Sequence, residues 1–319
     1  FNKLTKRGGD IISDSTIPQI ERIRKIAKQK KIKLSLISSK KEGIELLSHK
    51  FENEKQLLSI SYKNKKYFTY LNLIGKIQIK NILMAVLAAN KSGLKVDKII
   101  SKLHKIKSVE GRLEKIGKIK NNSKVILDYA HTPAALELAL YNLKEQFPYS
   151  KINLVFGCGG NRDFEKRSIM GKIAEKYSYQ IYLTDDNPRN ETPSKIRNDI
   201  KMGIKNKKII EIPDRKKAIQ EAIKNLKSGD LLLVAGKGHE KSQDYGIKKL
   251  FFSDKEIILK SIKQKNKFLS NNLKINIINE ESNHRISSNQ IIKNISINSK
   301  IVQKNDIFFA IKGNRLDGN

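Results

Sequence analysis

The chain has few of the residues on which several protein classes depend: among 319 residues it contains one cysteine, Cys158, and no tryptophan. One cysteine excludes an internal disulfide framework and a zinc site built from several cysteines, so nothing calls for an oxidising compartment. No apolar run approaches the roughly 20 residues of a membrane-spanning helix, and the first residues lack the apolar stretch of a signal peptide. We therefore expect a cytoplasmic protein without a membrane partner.

Acidic residues are also scarce, with 32 Asp plus Glu against 65 Lys plus Arg, which gives a formal net charge of +33. A strongly basic surface can bind nucleic acid through its phosphates. However, the excess is almost all lysine, 54 Lys to 11 Arg, and is spread evenly along the chain. Proteins that read DNA bases favour arginine, and proteins that stack on single-stranded nucleic acid interleave aromatic with basic residues. The composition predicts a solvated lysine-rich surface and no specific nucleic-acid partner.

The length predicts about two domains, and the absence of an initial methionine favours an internal piece of a longer protein. In residues 1–107, apolar spacing and turn residues predict a short apolar segment followed by helices and strands. The predicted helices are 18–31, 79–92 and 97–106, and the predicted strands are 33–38 and 66–73.

Residues 108–265 are more regular, because four short apolar runs each end in a polar or glycine-rich loop. The predicted strands are 125–127, 152–156, 180–183 and 231–234, and the predicted helices are 133–146, 164–177 and 193–205. Strands that alternate with helices at this spacing predict an α/β domain with a parallel, doubly wound, Rossmann-like sheet. Ligands of such sheets bind at the carboxyl ends of the strands, where these loops converge.

After this domain the composition changes to lysine, asparagine and serine with little periodicity, which predicts a linker over residues 266–283. Residues 284–319 regain alternating apolar residues and predict the start of a further small α/β domain.

The first loop contains Asp128, His131, Thr132 and Pro133 at a strand end. An Asp and a His at such a position can hold a ribose hydroxyl and a phosphate. Thr132 and Pro133 are equally typical of a plain helix start, with threonine as the cap and proline in the first turn. From the residues alone, both interpretations stay open.

The second loop runs from Gly157 to Asp163 and contains Arg162. Its glycines would let backbone amides approach an anion, and Arg162 suits a carboxylate or phosphate. The spacing fits neither a dinucleotide fingerprint nor a Walker loop, and a tight structural turn is the alternative. We assign no chemistry to Cys158, which is typical of a small buried residue.

The third loop, residues 184–189, combines two acids, an amide, a proline and Arg189. These groups could bind a zwitterion, with an acid on the ammonium and arginine on the carboxylate; an Asx-type turn is the alternative. The fourth loop, 235–240, contains His239, and a lone histidine is more often structural than catalytic. The sequence contains no recognisable catalytic triad and no closed metal site.

Together these four loops, in order and preceded by Gly111-Arg112-Leu113-Glu114, resemble the C-terminal domain of the Mur ligase family. Within the family, they are similar to the members that add diaminopimelate. The resemblance extends over residues 1–265, where residues 1–107 correspond to the second half of the central ATPase domain. Gln78 and Asn81 then stand where the family has an asparagine-rich contact to adenine.

The resemblance implies an ATP- and Mg²⁺-dependent amide ligase of peptidoglycan precursor synthesis. Such a ligase adds meso-diaminopimelate to UDP-N-acetylmuramoyl-L-alanyl-D-glutamate through an acyl phosphate. By the same resemblance, the nucleotide contacts are Asn81, Arg112, Asp128 and His131, and the diaminopimelate contacts are Arg162, Asp186, Asn187, Pro188, Arg189, Gly236 and Glu240. Arg189 would bind the far carboxylate, which lysine lacks.

The resemblance also implies that the phosphate-binding loop, the magnesium carboxylates and a carbamylated lysine precede Phe1, so the chain alone should be inactive and holds no catalytic or metal residue. The tail resembles the start of the N-terminal domain of another Mur ligase, the one that adds D-alanyl-D-alanine, although Asn298 and Lys300 depart from its Asp-Ser-Arg motif. We therefore expect two fused ligases and a monomer. The alternatives are a lysine-adding Mur ligase, a folylpolyglutamate synthase-like ligase and a non-catalytic amino-acid-binding remnant.

Overall fold

The computed structural model describes residues 8–39, 43–206 and 209–282, together with two short strands near the end of the chain. These two strands, Ile295–Ser296 and Ile307–Phe308, pair in parallel. The remainder of the predicted further domain, including Asn298 and Lys300, lies outside the described residues. No helix in the described ranges is both long enough and apolar enough to cross a membrane.

A five-stranded sheet forms the first part of the chain, in the order β1-β2-β3-β4-β5. Its strands are β1 Asp10–Asp14, β2 Lys33–Ile37, β3 Gly43–Glu52, β4 Lys55–Tyr62 and β5 Lys65–Leu71. The first three strands are parallel, and β3, β4 and β5 are antiparallel neighbours. Helix α1, Ile20–Gln29, connects β1 to β2.

Helix α2, Ile77–Lys91, packs on this sheet because its apolar residues recur every three or four positions. The buried members of that stripe are Ile79, Ile82, Leu83, Val86 and Leu87. Gly93, with φ +97°, follows the helix in the left-handed conformation that often ends helices. A short helix α3, Val96–Ile100, and a 3₁₀ turn, Leu103–Lys105, occupy the region predicted as one continuous helix, 97–106.

A six-stranded sheet forms the second part, in the order β10-β9-β8-β11-β7-β6. Its strands are β6 Glu114–Ile116, β7 Lys124–Asp128, β8 Ile152–Phe156, β9 Gln180–Leu183, β10 Ile209–Glu211 and β11 Leu231–Ala235. All neighbours are parallel except β6, which is antiparallel to β7. The α/β fold and the doubly wound sheet predicted from the sequence are confirmed.

Helices cover both faces of this sheet: α4 Pro133–Gln146, α5 Glu165–Tyr177, α6 Pro193–Lys201, α7 Arg215–Asn225 and α8 Asp254–Ser282. Along each central strand, alternate side chains enter opposite cores. Leu231 and Leu233 pack with α4, α5 and α6, whereas Leu232 and Val234 pack with α7 and α8. The register of the parallel strands also makes β7, β8, β9 and β11 end at the same edge of the sheet.

Helix α8 corrects one expectation, because it continues to Ser282 through the stretch predicted as an irregular linker, 266–283. A small hairpin, β12 Ser242–Asp244 and β13 Lys249–Phe251, lies between β11 and α8 and was not predicted. The division of the chain into domains at 107 and 265 stays a prediction.

Candidate functional site

The four loops that follow β7, β8, β9 and β11 meet at the carboxyl edge of the six-stranded sheet. The register explains this meeting: Asp128 pairs with Ala235, and Phe156 pairs with Leu183, so these strands end at the same level. The loops enclose a cleft of about 330 Å³. It is lined by Tyr129, His131, Thr132, Gly159, Arg162, Asp163, Lys166, Asp186, Asn187, Arg189, Gly236 and Glu240.

Most of the predicted diaminopimelate contacts line this one cleft, although they are far apart in the sequence. Those residues are Arg162, Asp186, Asn187, Arg189, Gly236 and Glu240. Pro188 is buried and does not line the cleft. Of the predicted nucleotide contacts, His131 lines the cleft, Asp128 and Arg112 lie beside it, and Asn81 lies on the exposed side of α2.

Asp128 shapes the edge of the site through its backbone partners. Its carboxylate accepts hydrogen bonds from the amides of Leu113 at 2.7 Å and Ala130 at 2.8 Å. Burial raises the pKa of Asp128, and these two hydrogen bonds oppose that rise. The carboxylate therefore holds the backbone at Leu113 against the first loop. This structural role does not depend on a ligand.

The first loop stacks aromatic and cationic side chains on Tyr129. The guanidinium of Arg112 lies 4.8 Å from the centre of its ring, and the His131 ring makes an edge contact at 4.6 Å. The ring of His239, which is exposed, lies 5.4 Å from the same ring. Thr132 accepts from the amide of Ala135 at 3.3 Å, so the interpretation of Thr132 and Pro133 as a helix start is confirmed.

The glycines of the second loop serve close packing against the third loop. A Cβ atom on Gly157 would lie 2.1 Å from the carbonyl oxygen of Thr184, and one on Gly160 would lie 1.9 Å from that of Pro188. The amide of Gly160 donates to the carbonyl of Asn187 at 2.9 Å. The loop therefore packs tightly against the third loop, and its glycines bring Arg162 and Arg189 to one cleft. The binding of an anion by its amides stays a prediction.

Cys158 is buried and contacts the sulfur of Met170 at 3.6 Å. Burial raises the pKa of its thiol to about 12, so the thiolate is rare at neutral pH. The assignment of no chemistry to Cys158 agrees with this geometry.

Arg189 stands in the left-handed region with φ +53° and turns its side chain into the cleft. Its Nη1 donates to the carbonyl of Gly160 at 2.7 Å, and its Nε lies 3.8 Å from Oδ2 of Asp244. Gly159 leaves room for the guanidinium, because a Cβ atom there would lie 2.9 Å from Nη1. The guanidinium is about a quarter exposed and has donors left for a ligand carboxylate.

Asp186 and Arg215 face each other behind the cleft. Oδ2 of Asp186 and Nη1 of Arg215 are 3.9 Å apart, and neither atom has a hydrogen-bond partner. The rest of the Arg215 guanidinium is held by Asp254, with Nε and Nη2 at 2.8 and 2.7 Å from its two carboxylate oxygens. Burial raises the pKa of Asp186, and the charge of Arg215 opposes the rise.

Lys237 joins the third and fourth loops through a fully buried ammonium group. The ammonium donates to Oδ1 of Asn187 at 2.8 Å and to Oε2 of Glu240 at 3.0 Å, while Nδ2 of Asn187 donates to the same Glu240 oxygen at 3.1 Å. Burial opposes ionisation of Glu240, but Lys237 and Asn187 outweigh it and hold its pKa below the usual value. Glu240 is therefore an anion at the cleft.

The charges of the cleft suit a ligand that carries both signs. Arg162, Lys166 and Arg189 are cationic, whereas Asp186 and Glu240 are acidic and half-buried or buried. Sequence reasoning left three groups unassigned: Lys166, Lys237 and Arg215. Lys166 lies in the first turn of α5, directly after the loop that carries Arg162. Arg215 depends on a partner 39 positions away, which no local pattern reveals.

The comparisons with known proteins agree with this fold. Residues 111–238 match the family model of the Mur ligase, glutamate ligase domain. A structure of UDP-N-acetylmuramoyl-L-alanyl-D-glutamate–2,6-diaminopimelate ligase superposes with a TM-score of 0.61 at 26% identity, over 81% of this chain and 53% of that chain. The described part is therefore an α/β protein with the fold of the central and C-terminal domains of Mur ligases, and residues 111–238 are similar to the glutamate ligase domain.

Among Mur ligases, the chain is similar to the diaminopimelate ligases. The enzyme of that name from Rickettsia montanensis is 42% identical over 256 residues, which are 80% of this chain and 52% of that protein. The one from Chelativorans sp. is 36% identical over 265 residues, 83% of this chain and 54% of that protein. The chain thus spans about half the length of the curated relatives it matches.

Proposed function

We propose that the chain is part of an ATP-dependent ligase that adds meso-diaminopimelate to UDP-N-acetylmuramoyl-L-alanyl-D-glutamate. The observation that carries the proposal is the convergence of Arg162, Arg189, Asp186 and Glu240 on one cleft. The ligand named by the similar enzymes has two carboxylates and two amino groups, and the cleft offers cations for the former and acids for the latter.

In this proposal the residues of the cleft bind and orient the amino acid. Arg189 and Arg162 contact its carboxylates, and Asp186 and Glu240 contact its ammonium groups. ATP transfers its terminal phosphoryl group to the D-glutamyl carboxylate, which gives an acyl phosphate and ADP. The deprotonated amine then attacks the acyl carbon, the amide bond forms and phosphate leaves, so the chemistry depends chiefly on positioning.

For the nucleotide we propose Asn81, Arg112, Asp128 and His131 as contacts. Two contacts support the proposal for Arg112 and His131. The guanidinium of Arg112 stacks on Tyr129, and the ring of His131 lies beside the cleft. Among the described residues, no group of three or more His, Cys, Asp or Glu could hold a metal ion, so we assign no described residue to Mg²⁺.

We also propose that the tail begins a second Mur ligase, which would make the natural protein bifunctional. The sequence motifs after residue 284 support this, although most of them lie outside the described residues. A mass spectrum of the natural protein tests it: a mass near that of one ligase would refute the fusion. Light scattering on the same sample tests the expected monomer.

The ligase activity is tested on the full-length natural protein by phosphate release from ATP with the UDP-linked dipeptide. We expect release to require meso-diaminopimelate and lysine not to replace it. Equal use of lysine would favour the lysine-adding alternative, and dependence on a folate and glutamate would favour the folylpolyglutamate synthase-like alternative. Binding of diaminopimelate without any turnover would favour a binding remnant.

A further inference from the structure

The start of helix α2 has no capping side chain of its own. Lys76 precedes the helix, and no side chain of its own segment accepts a hydrogen bond from the first helical amides. The first amides of a helix lack partners within the helix, so buried ones need an acceptor from elsewhere. This start matters because α2 carries Asn81, the proposed nucleotide contact in the five-stranded part.

Helix α4, in the six-stranded part of the chain, supplies an acceptor for the first helical amide, Ile77, and another for the amide of Gly75 just before the helix. Oδ1 of Asn142 accepts from the amide of Ile77 at 3.2 Å, and Oε1 of Gln146 accepts from the amide of Gly75 at 2.9 Å. Both side chains are almost fully buried, with 2% and 5% of their surfaces exposed. Asn142 and Gln146 are one helical turn apart on α4, so both side chains lie on the face that meets the start of α2.

The remaining polar groups at this contact are also satisfied. Nε2 of Gln146 donates to the carbonyls of Glu54 at 2.8 Å and Leu73 at 3.4 Å. Gln56 donates to the carbonyls of Leu73 and Gly75 at 2.9 and 3.2 Å. Gly75 has φ +90°, and a Cβ atom there would lie 2.7 Å from Cδ1 of Leu113. A buried network with every group paired favours one arrangement over neighbouring ones.

Helix α4 begins at the cleft of the six-stranded part. Its first residue, Pro133, follows the loop of Tyr129 and His131 at the cleft, and its last turn carries Asn142 and Gln146. One rigid helix of 14 residues therefore joins the cleft to the start of the helix that holds Asn81.

We propose that Asn142 and Gln146 are positioning residues that cap α2 from the other domain and thereby set Asn81 relative to Arg112 and His131. The inference rests on the proposed function, since it concerns the nucleotide of that reaction. Neither side chain touches the reacting atoms in this role. Loss of the cap should weaken use of ATP and leave use of the amino acid intact.

The experiment compares Asn142→Leu with Asn142→Asp in the full-length natural protein. Leucine keeps the size and removes the acceptor, whereas aspartate keeps an acceptor for the amide of Ile77. We expect Asn142→Leu to raise KM for ATP about three- to tenfold, the scale of one lost hydrogen bond, without changing KM for diaminopimelate. Asn142→Asp should restore KM for ATP in part, because it keeps the acceptor for Ile77 but loses the Nδ2 donor to the carbonyl of Leu138. Asn198→Leu, on the exposed side of α6, is the matched control and should behave as the parent.

Hydrogen exchange supplies a readout that needs no activity. The amide of Ile77 should exchange about three- to tenfold faster in Asn142→Leu and regain its protection in Asn142→Asp. Faster exchange with an unchanged KM for ATP would overturn the positioning role, as would equal rises in both KM values. If the parent does not use diaminopimelate at all, the proposed function fails, and the affinity of these variants for a fluorescent ATP analogue still decides the positioning role.

Discussion

Nζ of Lys237 donates to Oδ1 of Asn187 at 2.8 Å, and the ammonium is fully shielded from solvent. Oδ1 of Asn187 also accepts from the amide of Asp244 at 3.0 Å, so its acceptor is fully used within the protein. What Asn187 has left for a ligand is one N–H. Lys237 and Asn187 therefore act mainly by holding Glu240. A ligand in the cleft would contact a carboxylate that these two residues already keep charged and in place.

Replacing Lys237 by methionine should weaken diaminopimelate binding and shift its pH dependence. Without the ammonium, burial dominates and the pKa of Glu240 rises, so the carboxylate loses its charge at a higher pH. The parent should keep its affinity down to about the usual glutamate pKa of 4.5 or below. The Lys237→Met variant should lose affinity for diaminopimelate at a pH that is still above 4.5. Calorimetric titrations between about pH 4 and 8 measure the shift.

Lys237→Arg keeps a charge at the same place and should shift the profile less. Lys216→Met, on the exposed side of α7, is the control for loss of a lysine charge. Superimposable pH profiles for Lys237→Met and the parent would show that Glu240 does not depend on Lys237.

Replacing Arg189 by alanine should reduce diaminopimelate use far more than ATP binding. One charge-assisted contact to a carboxylate corresponds to about 1.5–3 kcal/mol, so KM for diaminopimelate should rise by about 10- to 100-fold. The affinity for ATP should change by less than about twofold. Kinetics with each substrate varied separately make the comparison. Arg22→Ala, on the exposed surface of α1, controls for loss of an arginine, and equal losses for both substrates would refute the assignment.

Replacing Arg215 by methionine should destabilise the domain by about 3–5 kcal/mol, because it leaves the carboxylate of Asp254 buried without its partner. Urea denaturation followed by circular dichroism measures the loss. The double variant Arg215→Met with Asp254→Leu removes both charges and should recover a large part of it. A single variant as stable as the parent would mean that water reaches Asp254.

Cys158 should be unreactive towards thiol reagents at pH 8 in the folded protein and react once denaturant is added. Its folded-state pKa of about 12 exceeds the usual value of 9.0, so the folded state keeps the proton longer than the unfolded state. The difference between the two pKa values has no effect on stability below about pH 9. Above that pH it lowers the free energy of unfolding by about 1.4 kcal/mol per pH unit.

The stability of Cys158→Ala should therefore fall less steeply than that of the parent between pH 9 and 11. Both proteins carry the same tyrosines and lysines, so the difference between their slopes isolates the thiol. Rapid labelling of the native parent at pH 8 would contradict the buried position.

The sequence was sufficient where local chemistry decides the structure. Helix α4 begins and ends as predicted because Thr132 and Pro133 define its start, and the apolar runs predicted β7, β8, β9 and β11. The hairpin of β3 and β4 was missed, since β3 is largely half-exposed and mixes Glu, Ser, His and Lys among its apolar residues. Its strand character comes from pairing with β4, which is a non-local cause.

The same limit applies to the site. The loops that line the cleft were predicted, because each polar loop follows a recognisable strand. The buried groups behind them were not, since Arg215, Asp254 and Lys237 owe their importance to partners that only the folded chain brings close. Gln146 is a further case, with a backbone partner 71 positions away.

Helix α8 extends far beyond the six-stranded sheet region that its first turn contacts. Its 29 residues span about 43 Å at 1.5 Å per residue, and Asp254 at its first turn is anchored beside the cleft by Arg215. Ser282 is therefore about one helix length away from the buried pair of Arg215 and Asp254. The second ligase that we propose would be joined at the end of α8 that lies opposite the cleft.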